Sequence, residues 1–445
     1  MKYYSTNKQS PAVDFKEATI RGQAPDKGLY FPDHIPQIDK SFFKQIENYA
    51  NEEIAFSVIK PYVGDSIPEE ELFSIVKETV NFSIPLLKVN ENIFSLELFH
   101  GPTLAFKDIG ARFMSRCLGY FISSGQAASS VPTGNVTVLV ATSGDTGGAV
   151  ANGFYNVKGV EVVILYPSGK VSPVQEKQLT TLGKNIYALE IEGTFDDCQD
   201  MVKQAFTDEE INSKIFLTSA NSINVARWLP QQFYYFFAYK QWKDKNHPPV
   251  ISVPSGNFGN ICAGILASTS GLPVEHFIAA CNVNDVITNY LETANYKPQT
   301  ARPTLSNAMD VGNPSNFIRI LEIFHHQFPE LKKHLSSFSI TDEETMATIK
   351  EVDEKFNYLL DPHGAVGYLS LQRYLQDHAD KKARLSDGQG IFLETAHPVK
   401  FPESVEKITG RKIEIPETLV SMMKNEKKST LMKPDYNRLK EYLLK

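Results

Sequence analysis

Between residues 136 and 267 the chain alternates short, almost wholly apolar runs with stretches whose apolar positions recur at helical spacing. Val136 to Ala141 is nearly all apolar, as a strand buried on both faces should be, and a helical stretch follows from Gly148 to Tyr155. The order repeats with a strand from Glu161 to Tyr166 and a helix from about Pro173 to Leu182. It repeats again with a strand from Ile186 to Ile191 and a helix from about Phe195 to Phe206. A longer helix, Val225 to Trp242 with Pro230 near its start, precedes a strand from Pro249 to Val253 and a helix beginning near Ile261. Strands that alternate with helices predict parallel sheets joined by right-handed crossovers. Two successive sets predict two α/β lobes, with ligands beyond the carboxyl ends of the strands and a cleft between the lobes.

The flanks read differently. Residues 1–92 mix helical patterns with turn signals such as Pro25-Asp-Lys-Gly28, and Val89-Asn-Glu-Asn92 breaks the chain, so this stretch is expected to be a separate amino-terminal unit. Helical spacing returns from Thr341 to Phe356 and from Ala365 to Leu375, and Gly390 to Thr395 reads as one more strand. The Lys/Glu-rich chain from Pro416 reads as exposed helix. The expected organisation is therefore an amino-terminal accessory region (1–92), a central region with two open parallel-sheet lobes flanked by helices (93–401), and a helical tail (402–445), an α/β protein as a whole.

Composition narrows the function classes. With 445 residues, 42% hydrophobic, 22% charged and a net charge of -7, the chain has a globular balance and no basic excess for gripping nucleic acid. No run of eighteen apolar residues occurs and the start of the chain has no apolar stretch behind its charges, so no membrane span is expected and a cytoplasmic location is the default. Cys117, Cys198, Cys262 and Cys281 form no Cys-x-x-Cys pair and are expected to be buried, reduced thiols. His325-His326 and His363 lack carboxylates at metal-ligand spacing, so no metal site is expected.

Three segments carry candidate chemistry. Lys107 lies in His100-Gly-Pro-Thr-Leu-Ala-Phe-Lys107-Asp108, and a lone lysine of this kind is usually a surface charge. The loop Ser255-Gly-Asn-Phe-Gly-Asn260 follows a strand and precedes a helix, where backbone N–H groups and the helix dipole converge on a phosphate; Gly256 and Gly259 permit close approach, alongside Asn257, Phe258 and Asn260. Its spacing matches neither the P-loop nor the dinucleotide fingerprint. A lysine beside a phosphate loop is the least a protein needs to hold pyridoxal phosphate, because the aldehyde takes the amine and the loop takes the phosphate.

The turn Thr142-Ser-Gly-Asp-Thr-Gly147 sits in an equivalent position. Asp145 there would repel a second phosphate, so Ser143, Gly144 and Thr146 suit a substrate carboxylate, with a plain helix cap as the alternative. Thr395, at the end of a strand, is placed to offer a hydroxyl to a ring nitrogen. Lys170 and Arg227 are candidates for binding a substrate anion, or else solvated surface charges.

The segment Phe99 to Asp108 resembles the cofactor-lysine segment of the threonine synthases, a family within the tryptophan-synthase β-type (fold type II) pyridoxal phosphate enzymes. Ala141 to Gly147, Ser219 to Asn224, Pro254 to Asn260 and Glu394 to Pro398 are similar to that family's motifs, in its order. The resemblance implies that Lys107 bonds the cofactor aldehyde, Gly256 to Asn260 bind its phosphate, Thr395 faces the pyridine nitrogen, and Ser143 to Thr146 hold substrate; Lys170 and Arg227 as ligands of that substrate extend the resemblance and are not part of it. It implies a lyase that turns O-phospho-L-homoserine and water into L-threonine and phosphate. Two alternatives stay open: a phospholyase releasing 2-oxobutyrate, ammonia and phosphate from the same site, and a non-catalytic small-molecule sensor. Monomer and dimer are equally open.

Overall fold

Two parallel sheets, as the alternation predicts, carry the molecule, and the chain passes between them three times. The computed structural model describes residues 1–125, 136–378 and 388–445. In chain order the strands are β1 (Tyr3–Ser5), β2 (Tyr30–Pro32), β3 (Leu86–Lys88), β4 (Ile93–Glu97), β5 (Val136–Ala141), β6 (Val160–Pro167), β7 (Ile186–Ile191), β8 (Phe216–Thr218), β9 (Val250–Pro254), β10 (His276–Cys281), β11 (Leu335–Ser339), β12 (Gly390–Glu394) and β13 (Thr430–Met432). The larger sheet has the order β11-β10-β9-β12-β4-β3 and is parallel except for β3. The smaller has the order β13-β7-β6-β5-β8 and is parallel throughout. Val136 to Ala141 is buried at every position, which is why its sequence shows no alternation.

The expected helices form with shifted ends. Ser172 caps the helix Pro173–Thr180 by accepting from the Gln175 amide, and Thr341 caps Asp342–Phe356 in the same way. The single helix expected over Val225 to Trp242 is instead three pieces: Val225–Trp228, a 3-10 turn Leu229–Gln232, and Phe233–Gln241. Pro230 has no N–H to give the carbonyl four residues back, and its ring crowds that carbonyl, so the chain tightens there.

The flanks are tied to the centre more closely than their patterns suggest. At the amino-terminal boundary β3 pairs antiparallel with β4, so the break at residues 89–92 is a hairpin turn inside the larger sheet. The Phe15 ring packs 6.4 Å from Phe113 and 6.3 Å from Phe121, so this region shares the central core. Its own sheet, β1 with β2, is three residues long and cannot bury a core alone. The tail after Pro416 is not helix alone, because β13 between the helices Glu417–Lys424 and Tyr436–Leu443 adds a parallel edge to β7. Three residues are too few to show a period. The four cysteines are free and buried, as expected.

Arg319 ties these regions together. Fully buried, it donates to the Tyr30 carbonyl at 3.0 Å, Ser222 O at 3.0 Å, Ile223 O at 2.6 Å and Asn316 Oδ1 at 2.7 Å, with its guanidinium 4.3 Å from the Trp228 ring. Arg319→Met would leave three buried carbonyls without this donor. We expect it to lower stability by about 3 kcal/mol or more in urea unfolding, since each buried acceptor left unmade costs ~1–3 kcal/mol. A loss under ~1 kcal/mol would show that water replaces the guanidinium without penalty.

Candidate active site

The main segments singled out in the sequence lie at the carboxyl ends of parallel strands: Phe99 to Lys107 after β4, Thr142 to Gly147 after β5, Ser255 to Asn260 after β9, and Thr395 to Pro398 after β12. That is where open α/β sheets place ligands. The first and last are joined directly. Phe106 N–H donates to the Thr395 carbonyl at 2.9 Å and His397 N–H to Leu104 O at 3.1 Å, with Ala105 bridged to Ala396. Thr395 is thereby held beside the lysine segment.

Lys107 opens the helix Lys107–Ser123, whose Ile109, Phe113, Met114, Cys117, Leu118 and Phe121 are buried at helical spacing. Asp108 fixes the preceding turn: the Thr103 amide and hydroxyl donate to its two carboxylate oxygens at 2.9 and 2.5 Å. The Lys107 side chain is half-buried and makes no hydrogen bond among the described residues, its Nζ lying 4.7 Å from the Phe106 ring centre. Burial lowers its pKa from the ordinary lysine value; Asp145 opposes this, while Lys400 and Arg227 reinforce it. The start of a helix also disfavours a cation. The result is an amine with no protein partner, which suits a nucleophile or base.

The loop after β9 is an amide cradle. Among the described residues no protein acceptor takes the N–H groups of Gly256, Asn257, Phe258, Gly259 or Asn260, and Phe258 turns the chain with a left-handed φ of 60° to start the helix Gly259–Thr269. The Asn260 side chain accepts from Tyr235 OH at 2.8 Å, but its buried Nδ2 has no acceptor. Unpaired donors of this kind at a helix start fit a phosphate. Gly256 is required by its surroundings, since a Cβ there would lie 2.8 Å from the Ala308 carbonyl oxygen. With the lysine and Thr395, whose hydroxyl also has no protein partner among the described residues, these groups fit pyridoxal phosphate.

The turn after β5 is organised by Thr142, whose hydroxyl accepts from the Gly144 and Gly147 amides at 3.0 and 2.9 Å. Ser143 and Thr146 are half-buried with hydroxyls free of side-chain hydrogen bonds among the described residues. Asp145 is not free: Gln175 Nε2 donates to its Oδ1 at 2.9 Å and Lys400 Nζ at 2.7 Å. Burial would raise this carboxyl, but Lys400 and Lys107 outweigh it and hold Asp145 well below the ordinary carboxylate range. Arg227 is buried against the start of the Lys107 helix, its Nε and Nη1 unpaired among the described residues, and burial brings it down to about 10, so it stays charged near neutrality. Lys170 stands apart from these groups, exposed on the loop after β6.

Sequence reasoning missed two parts of the site. Lys400 is wholly buried, two residues beyond Pro398, and its only local signal was its place between the apolar Val399 and Phe401. The second is a support behind the phosphate loop. His363 Nδ1 lies 2.5 Å from Asp361 Oδ1, and the Ala308 amide donates to His363 Nε2 at 3.2 Å, holding the turn that backs Gly256. Glu394, buried beside Asp361, is pushed well above the ordinary carboxylate value by burial and by that neighbour. These partners are far apart in sequence, and no local spacing announces them.

A family model described as pyridoxal-phosphate dependent enzyme matches residues 48–388 of this chain, one for the threonine synthase N terminus matches residues 2–80, and one for the threonine synthase C-terminal region matches residues 364–443. Over the whole of both chains the sequence is 44% identical to the threonine synthase of Haemophilus influenzae. The threonine synthase structure from Escherichia coli superposes with a TM-score of 0.88 at 40% identity, covering 100% of this chain and 99% of that one. That of the pyridoxal-phosphate-bound threonine synthase from Brucella melitensis superposes with a TM-score of 0.91 at 34% identity and the same coverage. Among the described residues no helix is long and apolar enough to cross a membrane.

Proposed function

Because the chain belongs to the threonine synthase family of pyridoxal-phosphate-dependent lyases, we propose that it converts O-phospho-L-homoserine and water to L-threonine and phosphate with Lys107 as its catalytic residue. The observation that carries this reading is the placing, at the carboxyl ends of β4, β9 and β12, of a pKa-lowered lysine, a cradle of five amides and the Thr395 hydroxyl, none of which has a hydrogen-bond partner among the described residues.

When bound, pyridoxal phosphate supplies an electron sink that stabilises negative charge on the substrate. The amides of Gly256 to Asn260 would hold its phosphate, and the Thr395 hydroxyl would be the partner of its ring nitrogen, a neutral partner that would moderate the sink. Lys107 Nζ moves protons at the substrate's Cα and Cβ, and the burial that lowers its pKa favours the uncharged amine that this work needs. Phosphate departs from Cγ as the electron pair left at Cβ forms the Cβ–Cγ double bond, Cγ then takes a proton to become the methyl group, and water adds its hydroxyl at Cβ while a proton returns to Cα. The hydroxyls of Ser143 and Thr146, with the amides of the turn that Thr142 does not already hold, bind the substrate carboxylate. Arg227 is the candidate for a further anion contact, since two of its buried donors are unfilled; Lys170 reaches substrate only if its loop moves inward.

Incubation of the cofactor-loaded protein with O-phospho-L-homoserine, with phosphate, threonine and 2-oxobutyrate quantified together, tests the reading. Threonine equal to phosphate is expected. Phosphate accompanied by 2-oxobutyrate instead of threonine would make the protein a phospholyase on the same site, and no phosphate at all would overturn the substrate.

A further inference from the structure

The six-stranded and five-stranded sheets meet at the site through a buried charge that the proposed reaction does not use. Lys400 lies in the short 3-10 turn Pro398–Lys400 that follows β12 of the larger sheet, while Asp145 begins the helix Asp145–Phe154 after β5 of the smaller one. Their side chains are 0% and 5% exposed, and Nζ stands 2.7 Å from Oδ1. We propose that Lys400 is a positioning residue of this active site, a buried ammonium that carries the Asp145 carboxylate across the boundary between the sheets and shields the Lys107 amine from it.

Two observations separate this from a structural ion pair. An ammonium has three donors, and among the described residues Lys400 spends one, on Asp145. A lysine kept only for stability would cost less as an apolar side chain, because burying a charge with unfilled donors is expensive. Its charge also has a specific recipient. Besides burial, the charges that act on Lys107 are Asp145 and Asp361, which raise its pKa, and Lys400 and Arg227, which lower it. Asp108, one residue along, is buried and satisfied by Thr103. Remove Lys400, and Lys107 faces an uncompensated Asp145 with only Arg227 opposing it. Lys107 then holds its proton to higher pH, and the turn that carries Ser143 and Thr146 loses its tie to the larger sheet.

This inference rests on Lys107 being the lysine that bonds the cofactor, and its test keeps the two apart. The visible absorbance of the cofactor-loaded protein is titrated against pH for the wild type, Lys400→Met, Asp145→Asn and the double variant, with Lys107→Ala as the reference. Lys400→Met should move the titration midpoint up by about one unit or more, the size of effect expected from one buried charge within a few ångströms. Asp145→Asn should move it down, and the double variant should return it toward the wild type. Should Lys400→Met fail to fold, Lys400→Gln, which keeps a donor for Asp145 and removes the charge, takes its place with the same upward shift expected, since loss of packing moves no midpoint in a set direction. Midpoints that coincide in all foldable variants would overturn the role of Lys400. A visible band that persists in Lys107→Ala would instead overturn the cofactor lysine.

Discussion

Replacing Lys107 by alanine is expected to lower phosphate release from O-phospho-L-homoserine by ~10⁴-fold or more, because one group supplies both the covalent anchor and the proton transfers, and positioned proton transfer alone is worth about 10²–10⁴-fold. The fold should survive. Lys107 makes no hydrogen bond among the described residues and is half-buried, so its removal strands no partner, and Asp145 keeps Lys400 and Gln175. The checks are single-turnover phosphate release, a circular dichroism spectrum matching the wild type, and partial recovery of rate on adding a small primary amine. A variant that unfolds would place Lys107 in the core instead of the chemistry.

Gly256→Ala is expected to weaken cofactor binding by roughly 10- to 100-fold, as befits about 1.4–2.8 kcal/mol of misaligned amide contacts. The added Cβ would fall 2.8 Å from both the Ala308 carbonyl oxygen and the Met309 Cα, and neither is a side chain that can rotate away. The loop must retreat or the 306–309 turn must yield, and that turn is held by the Ala308 amide to His363. Equilibrium titration of the protein with pyridoxal phosphate, followed by absorbance, measures the effect. Unchanged affinity would mean that the amides of this loop do not carry the phosphate.

Both of these residues were legible in the sequence, and the reason is local. Strand, glycine-containing loop and helix follow one another within a few residues at Val250 to Ile261 and again at Val136 to Tyr155, so periodicity and turn chemistry report them directly. The Lys107 segment acquired meaning from its company, since a single lysine carries little signal. What could not be read were pairings between distant segments. The hairpin of β3 and β4 made a chain break into part of a sheet, and the three residues of β13 joined an edge that no pattern foretold. Lys400 looked like an ordinary strand-end lysine because its burial depends on Asp145, 255 positions away in sequence. Pro230 was visible, and its effect was underestimated: one missing N–H divided the helix expected around it.

The claim on which the rest depends is that these segments form one site with Lys107 as the residue that bonds the cofactor. Borohydride reduction of the cofactor-loaded protein, followed by digestion and peptide mass spectrometry, tests it directly. The account predicts a single pyridoxyl-lysine, at Lys107; the modification falling on Lys400 or any other lysine, or on none, would contradict it.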